Sequence, residues 1–272
     1  MNTPRKPPPP PPGSRPPAEA KPPAADRFSI SAGLVKGAER VGLYGTGGIG
    51  KTTLLSLAPS PVLLDIGTGS GHMDVPRVGG IDTWQDMMDC LNSDVLDDYA
   101  TIGIDDLSKA EEMSIAHVIS HVPHEKGKSV NCIEDYGWGK GLGHNYDNFL
   151  HLFAACDRHI RAGRNVLLVA HDCTASVPNP GGEDYIRYEP HLQAPSSGKN
   201  SIRERFIQWC DHLLFIGYDV YSEDGKGRGS GTRTIYTQEM PTHRAKSRTV
   251  QGSFPFAGPD DGAIWDLILG GK

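Results

Sequence analysis

Nine consecutive residues, GTGGIGKTT at Gly45–Thr53, combine glycines with one lysine and two hydroxyl side chains in the spacing GxxxxGK[ST]. Glycines let successive backbone N–H groups converge on phosphate oxygens. We expect Lys51 to reach the β- and γ-phosphates of a nucleoside triphosphate and the Thr52 hydroxyl to help hold Mg²⁺. The residues expected to contact the nucleotide are Gly45, Thr46, Gly47, Gly48, Ile49, Gly50, Lys51, Thr52 and Thr53.

A carboxylate that could hold the same magnesium ion follows an apolar segment further along the chain. In ATIGIDD, Ile102 and Ile104 precede Asp105 and Asp106, as at the end of a buried parallel strand. Since side chains alternate along a strand, only one of the two carboxylates can face the phosphates. We assign the metal-directed role to Asp105 and keep Asp106 as the competing candidate.

The apolar run NVLLVAH ends in a polar side chain, His171. Parallel strands deliver side chains to a ligand crevice at their carboxyl ends, so an imidazole there could sense the γ-phosphate. A structural hydrogen bond is the alternative for a single histidine. The two motifs upstream favour the sensor.

A second glycine-rich segment, VLLDIGTGSGHMD at Val62–Asp74, begins like the cofactor loop of an S-adenosylmethionine methyltransferase. Such an enzyme needs this loop to open a helix against the cofactor. Here Pro76, Gly79 and Gly80 follow, and they disfavour a helix. We interpret the segment as the second core strand of the triphosphate-binding domain.

These residues need a scaffold of short apolar strands that alternate with helices. This rhythm predicts an α/β fold, a mainly parallel sheet flanked by helices. A glycine-rich stretch followed by TRTIYTQ predicts a C-terminal β-hairpin at the edge of the sheet. The predicted strands are Val41–Tyr44, Val62–Ile66, Thr101–Asp105, Val166–Ala170 and Leu213–Gly217, and the predicted helices lie near Lys51–Leu57, Trp84–Leu96, Lys109–Ile119 and Asn145–Ala162.

Composition limits the organisation of the chain. With 272 residues, 37% of them hydrophobic, one core domain with appendages is expected. We predict a disordered proline-rich tail over residues 1–26, a folded domain over 27–250, and a C-terminal tail with a short helix over 251–272. The sequence has no membrane-length apolar run and no secretion leader, so a cytoplasmic protein is expected. The five cysteines are scattered, which predicts reduced and mostly buried thiols.

Charge is distributed unevenly on a chain whose net charge is −6. Twelve acidic and two basic residues lie between Leu63 and Glu112, whereas six basic residues and one acidic residue lie between Lys226 and Arg248. The net charge argues against a uniformly basic nucleic-acid-binding protein. The pattern still allows a basic face, with a solvated surface as the alternative.

Taken together, the motifs resemble those of phage-encoded AAA-type ATP-binding proteins with a RecA-like core, which are related to small recombinases implicated in single-strand annealing. The resemblance runs from about Ile30 to Arg248. The segments that carry it are YGTGGIGKTTL, HMDVPRV followed by TW, IGIDDL, IEDYGWGKG, GRNVLLVAH, GEDYIRYEPHL and AKSR.

The resemblance implies a RecA-like P-loop NTPase that binds ATP with Mg²⁺. It implies that Asp105 is the Walker B carboxylate, that His171 is a sensor, and that the strand ending at His171 lies beside the phosphate-loop strand. It further implies a homo-oligomer in which Lys246 and Arg248 of AKSR reach the γ-phosphate of a neighbouring subunit, as an arginine finger does. Solvated basic residues on an edge strand are the alternative.

The sequence departs from the RecA-like pattern at Gly67. The strand after the phosphate loop typically ends Asp-x-Glu in such proteins, and the glutamate orients or deprotonates the attacking water. Here the segment reads Asp65-Ile66-Gly67. Either another carboxylate, Asp65 or Asp106, takes this role, or hydrolysis is slow and ATP acts mainly as a switch. We favour slow hydrolysis.

Two segments could contact single-stranded DNA, because aromatic rings stack on bases and basic side chains neutralise phosphates. One is IEDYGWGKGLG, and the other is Asp172–Asn200, which we predict to be a long polar loop. The alternative is that their aromatic residues pin long loops to the core. The candidate residues in the two segments are Tyr136, Trp138, Lys140, Arg187 and Lys199.

The expected function is that of an ATP-binding RecA-like protein, which hydrolyses ATP and acts in phage DNA recombination or annealing. Its expected partners are single-stranded DNA, further copies of itself, and host or phage recombination proteins. The main alternative is a nucleotide-gated loader module with little hydrolysis and no DNA affinity of its own. A small-molecule kinase would need a basic lid, which the sequence does not show.

Overall fold

The computed structural model describes residues 32–33, 37–67, 69–223 and 226–270. Side chains of residues 221–228 and 230 are outside this description. The chain divides into two units, Met1–Lys36 and Gly37–Lys272. The predicted proline-rich tail, residues 1–26, lies outside the described residues. The described strands and helices belong to the second unit.

The described strands form one mixed sheet whose centre is parallel. Their order is β10-β8-β7-β1-β5-β4-β2-β3, with β6 paired to β5 and β9 paired to β7. The strands are β1 Arg40–Gly45, β2 Pro61–Asp65, β3 Arg77–Val78, β4 Thr101–Asp105, β5 Asn165–Val177, β6 Tyr185–Pro190, β7 His212–Glu223, β8 Lys226–Tyr236, β9 Lys246–Ser247 and β10 Ser253–Pro255.

The parallel strands β7, β1, β5, β4, β2 and β3 are the part that carries the predicted motifs. β1 pairs with β5 so that Gly45 lies opposite His171. β4 pairs with β2 so that Asp105 lies opposite Asp65. The predicted RecA-like sheet is confirmed, including the neighbouring positions of the phosphate-loop strand and the strand that carries His171, although this strand continues beyond His171 to Val177.

Helices cover both faces of this sheet. The helices are α1 Lys51–Ser56, α2 Trp84–Asn92, α3 Leu107–His121, α4 Lys140–Arg161, α5 Ile202–Trp209 and α6 Ala263–Trp265, with a 3-10 helix over Ile133–Tyr136 and a π-helical turn over Asp266–Gly270. Side-chain oxygens cap three of them, because Thr83, Asp106 and Ser201 accept hydrogen bonds from the first turns of α2, α3 and α5.

Alternation along the strands separates two hydrophobic cores. One face of the sheet packs against α2, α3, α4 and α5, with Phe149 and Phe206 fully buried. The other packs against α1 and the C-terminal segment, with Leu54 and Trp265 in its core. Burying one such side chain contributes about 1.5–3 kcal/mol, so both faces hold the phosphate-loop strand in place.

The prediction of a long polar loop over Asp172–Asn200 is wrong for two parts of the segment, residues 172–177 and 185–190, which are strands. β5 continues to Val177 and pairs antiparallel with β6, so the strand carrying His171 extends into a hairpin. Its β-branched and aromatic residues favour this conformation. The short helix α5 was not predicted either.

The C-terminal part of the chain packs onto the sheet. β8 forms the predicted hairpin with β7, and β10 pairs with β8 outside it. Within residues 251–272, the indole Nε1 of Trp265 donates a 2.7 Å hydrogen bond to the Leu54 carbonyl of α1. This segment therefore supports the helix that follows the phosphate loop.

Two smaller observations complete the fold. No helix among the described residues has the length and apolar character needed to cross a bilayer. The five thiols are free, but fewer of them are buried than predicted. Their environments are buried for Cys156 and Cys210, half-buried for Cys90 and Cys173, and exposed for Cys132.

Candidate nucleotide site

The phosphate loop joins β1 to α1 through a turn that requires glycine. At Gly45 a Cβ atom would lie 2.4 Å from the Ile216 carbonyl oxygen of the neighbouring strand β7. At Gly50 the backbone has φ +108, and a Cβ would lie 2.8 Å from the ring of Phe256. Side chains are excluded at both positions, which lets the loop lie close to the sheet and keeps its N–H groups accessible.

Lys51 begins α1 and is nearly buried. Its Nζ donates hydrogen bonds to the carbonyl oxygens of Gly45 and Thr46, at 2.8 and 2.9 Å. Burial lowers the pKa of the ammonium group, while the carboxylate of Asp105 acts in the opposite direction. A phosphate group would supply the negative charge that this partly desolvated cation needs.

The next residue, Thr52, contacts the carboxylate predicted to direct the metal. Its Oγ1 lies 2.5 Å from Oδ2 of Asp105. Burial raises the pKa of Asp105, and the neighbouring Asp106 raises it further, whereas the bond from Thr52 lowers it. The Asp105 carboxylate thus carries a negative charge with little compensation from its neighbours. Together with the Thr52 hydroxyl it forms a donor set that fits Mg²⁺, because this ion binds few protein oxygens and completes its coordination with phosphates.

Asp106 and His171 form a second pair beside the first. His171 Nε2 lies 3.1 Å from Asp106 Oδ2, and the other oxygen of Asp106 accepts the backbone N–H of Lys109, 2.6 Å away, at the start of α3. The backbone N–H of His171 donates to Ser108 Oγ at 3.3 Å. Asp106 thus couples the end of β4 to the predicted sensor on β5.

One cavity of about 390 Å³ brings these groups together. Phosphate-loop residues, both carboxylates and the imidazole face the same space, beside the loop that follows β2. The lining residues are Gly48, Gly50, Lys51, Thr52, Thr53, Gly67, Gly69, Met73, Asp105, Asp106 and His171. The remaining predicted contacts, Gly45, Thr46, Gly47 and Ile49, belong to the same loop.

The position expected to carry glutamate, Gly67, lies at this cavity. A Cβ there would be 3.6 Å from Asp106 Oδ2. Asp65 is occupied elsewhere, because its carboxylate accepts hydrogen bonds from the N–H groups of Gly69 and Ser70 and from the Ser70 hydroxyl. Of the two carboxylates considered as substitutes, Asp106 is therefore the one that faces the cavity.

Arg233 on β8 also supports the loop, and sequence reasoning did not identify it. Its guanidinium donates to the carbonyl oxygens of Ile49, at 3.0 Å, and Ala257, at 3.3 Å, and lies 4.8 Å from the centre of the Phe256 ring. Only the basic character of Lys226–Arg248 hinted at it. No spacing rule connects β8 to the phosphate loop.

Lys246 and Arg248 lie far from this site within their own chain. Lys246 pairs with Leu213 at the beginning of β7, and the guanidinium of Arg248 forms a 3.0 Å ion pair with Asp211. The phosphate loop follows the opposite end of the parallel strands. A contact of these residues with a phosphate therefore requires a neighbouring subunit.

The nucleic-acid candidates occupy different environments. Tyr136 is buried, and its hydroxyl donates to the Val118 and Val122 carbonyl oxygens, so this ring pins the segment to α3. Arg187 is buried in ion pairs with Glu189 and Glu239. The other three are exposed, and among them Lys140 forms an ion pair with Glu125. These three residues are Trp138, Lys140 and Lys199.

Sheet order, phosphate loop and paired carboxylates define a P-loop NTPase of the RecA-like class. The sequence matches the AAA domain family over residues 38–249, and the chain belongs to this family. Among solved structures, it is similar to a KaiC-like protein from the hyperthermophilic archaeon Pyrococcus horikoshii, with 12% identity over 82% of this chain and 88% of that chain and a TM-score of 0.41. No curated protein matches the sequence.

Proposed function

We propose that the chain binds ATP with Mg²⁺, hydrolyses it slowly, and acts on single-stranded DNA in phage recombination or annealing as a homo-oligomer in the host cytoplasm. The observation that carries the nucleotide part is the single cavity shared by Lys51, Thr52, Asp105, Asp106 and His171. The biological setting is supported by the resemblance of the motifs.

The chain's own residues have distinct tasks in this proposal. Lys51 exchanges its bonds to the loop carbonyls for bonds to phosphate oxygens. Thr52 and Asp105 hold the metal ion, which, when bound, neutralises phosphate charge. Asp106 accepts the proton of the attacking water, and His171 holds that carboxylate in place. With Gly67 where a glutamate is expected, Asp106 serves as a substitute base from the end of a different strand, and turnover is slow.

DNA binding is supported by an exposed aromatic side chain. Trp138 is fully exposed between Gly137 and Gly139, with Lys140 next to it. A fully exposed indole loses apolar stabilisation, and stacking on a base would recover it. The other three tryptophans of the chain are buried. Trp138 is therefore also a built-in fluorescent probe of strand binding.

The nucleotide part is tested by measuring ATP binding and ATP turnover of the wild type and of Lys51→Ala, each with and without single-stranded DNA. We expect slow turnover in the wild type and a loss of ATP binding in the variant. Fast, DNA-stimulated turnover would show that slow hydrolysis is wrong. If the wild type does not bind ATP, or if the variant binds it equally well, the proposed nucleotide site is wrong.

A second candidate function, the nucleotide-gated loader without DNA affinity, is favoured by Gly67, because a switch needs binding more than hydrolysis. Titration with single-stranded oligonucleotide distinguishes the two functions. We expect quenching of the Trp138 emission and salt-dependent binding. Trp138→Phe removes this signal and tests its origin. An absence of binding in every nucleotide state would favour the loader.

A further inference from the structure

A second cavity, of about 560 Å³, lies beside the phosphate loop and is lined by aromatic rings. Phe215 lies at its centre. The Tyr188, Tyr236 and His243 rings lie 5.2, 5.9 and 5.0 Å from the Phe215 ring, with interplanar angles of 19°, 24° and 20°. Each of the three rings is thus nearly parallel to Phe215, although Tyr236 and His243 are tilted by 39° to each other. The exposed rings of this cluster offer flat faces to a ligand.

The mouth of this cavity is open and apolar. Tyr188, Tyr218 and Val220 line it and are 43%, 46% and 68% exposed. The ring of His243 is buried, and its Nε2 has no hydrogen-bond partner among the described residues. Aromatic faces left in contact with water next to a buried imidazole are typical of a binding site for a planar, partly polar ligand.

The aromatic cavity shares two walls with the nucleotide site. Thr46 and Ile49 of the phosphate loop line it, whereas Gly48 and Gly50 of the same loop line the phosphate cavity. On β5, His171 faces the phosphate cavity and the next residue, Asp172, lines the aromatic one. A ligand in either cavity therefore contacts the loop and the strand that position a ligand in the other.

The charges select among planar ligands. Among the described residues, the lining includes no lysine or arginine, and the acidic residue in it is Asp172. A mononucleotide buried there would bring its phosphates next to this carboxylate, which repels them. A base of a nucleic-acid strand can enter alone, because the phosphates on either side of it stay outside the cavity in water. The lining therefore favours a base within a strand over a free nucleotide.

We propose that the aromatic cavity binds an unstacked base of single-stranded DNA. This inference rests on the proposed DNA-binding function and assigns it a site in which the predicted DNA segment, Asp172–Asn200, contributes Tyr188 and later parts of the chain contribute the other rings. Tyr188 lies on β6, whose partner strand β5 carries His171. Base binding is therefore connected with the γ-phosphate position through one strand pair, and ATP changes the affinity for the base.

The test compares an oligothymidylate with an abasic strand of the same length, each titrated with ATP present. Stacking of one base on aromatic side chains corresponds to roughly a tenfold or larger change in affinity. We expect Tyr188→Ala to weaken oligothymidylate binding by about this factor and to leave abasic-strand binding unchanged. Tyr188→Phe keeps the ring and should restore binding. Ile186→Ala is the control, because Ile186 is on the same strand, exposed and outside the cavity lining.

If Tyr188→Ala lowers the affinity for both strands equally, or lowers neither, the proposed base site is wrong. The proposed DNA-binding function is not contradicted by that result. If Tyr188→Ala does not fold, Trp138→Ala gives the same test, because the preference for thymidylate over the abasic strand must persist when this exposed ring outside the cavity is removed. Loss of that preference overturns the proposal. A wild type that binds neither strand overturns the proposed DNA function and the base site together.

Discussion

The two carboxylates at the end of β4 are chemically identical but have different neighbours. Asp105 contacts the Thr52 hydroxyl, whereas Asp106 contacts His171 and caps α3. Strand alternation predicted that one of them would face the phosphates. In the structure both line the cavity, because the chain leaves the strand after Asp105 and begins a helix. The metal-directed and base roles can therefore be separated by mutation.

Asp106→Asn is expected to lower kcat for ATP about 100-fold, because general-base catalysis contributes at least this factor, with a small effect on KM. Asparagine is also a good helix cap, so α3 should be retained. Asp65→Asn is the control, because Asp65 binds the loop at Gly69 and Ser70 and should affect stability more than kcat. An Asp106→Asn enzyme with wild-type kcat would exclude Asp106 as the base.

A buried carboxyl on α3 makes stability depend on pH. Burial raises the pKa of Glu111 to about 7, against hydrogen bonds from Gln193 and Asn145 that lower it. The folded chain therefore binds a proton that the unfolded chain, with a pKa of about 4.3, releases. Stability from this group is present below about pH 4.3 and is lost as pH rises through 7.

Glu111→Gln should remove this loss, so that the variant gains stability relative to the wild type between about pH 5 and 8. Burial lowers the pKa of His212 to about 4, so its contribution to stability has the opposite pH dependence. Because His212 is present in both proteins, this contribution cancels in the difference between them. Urea unfolding at several pH values measures the effect. Glu112→Gln, at an exposed position paired with Lys109, is the control for removing one negative charge from the same helix.

At the scale of elements, the sequence predicts the strands that are buried on both faces and the β7–β8 hairpin, and it misses β6 and the distal part of β5. β1, β2 and β4 are continuous apolar runs. The distal part of β5 has half-buried and exposed residues, and β6 alternates exposed with buried ones. Arg187 and Glu189 of β6 are buried as an ion pair, which looks polar in the sequence. The helix α5 did have a signal, because Ser201 and Glu204 have capping-box spacing.

The support of the phosphate loop by β8 depends on tertiary contacts, which no local pattern indicates. Arg233→Met keeps the length of the side chain and removes its bonds to Ile49 and Ala257. We expect ATP affinity to fall several-fold. A hydrogen bond to a charged group contributes about 1.5–3 kcal/mol at most, and the contribution is smaller here because Arg233 is only half-buried. Calorimetric ATP titration measures the change. Arg205→Met, which removes an exposed arginine on α5, should bind ATP normally.

At the scale of the whole molecule, the phosphate loop and the late basic residues lie at opposite ends of the parallel sheet. The phosphate loop lies at the carboxyl ends of the strands, and Lys246 and Arg248 lie at the beginning of β7. A five-residue strand spans about 17 Å, so one chain cannot bring Arg248 to its own phosphates. If these residues act in catalysis, subunits must associate head to tail, a heterologous contact that produces rings or filaments.

Mixed oligomers test this association directly. Lys51→Ala lacks a competent nucleotide site but retains Arg248, and Arg248→Ala has the reverse defect. We expect each variant to be inactive alone, and an equimolar mixture to recover about a quarter of the wild-type ATPase rate, because random head-to-tail assembly leaves one interface in four with both parts. Lys51→Ala mixed with Asp105→Ala is the control and should recover nothing, since both defects lie in the same site. If Arg248→Ala is fully active alone, Arg248 serves its own chain through Asp211, and the trans contact is excluded.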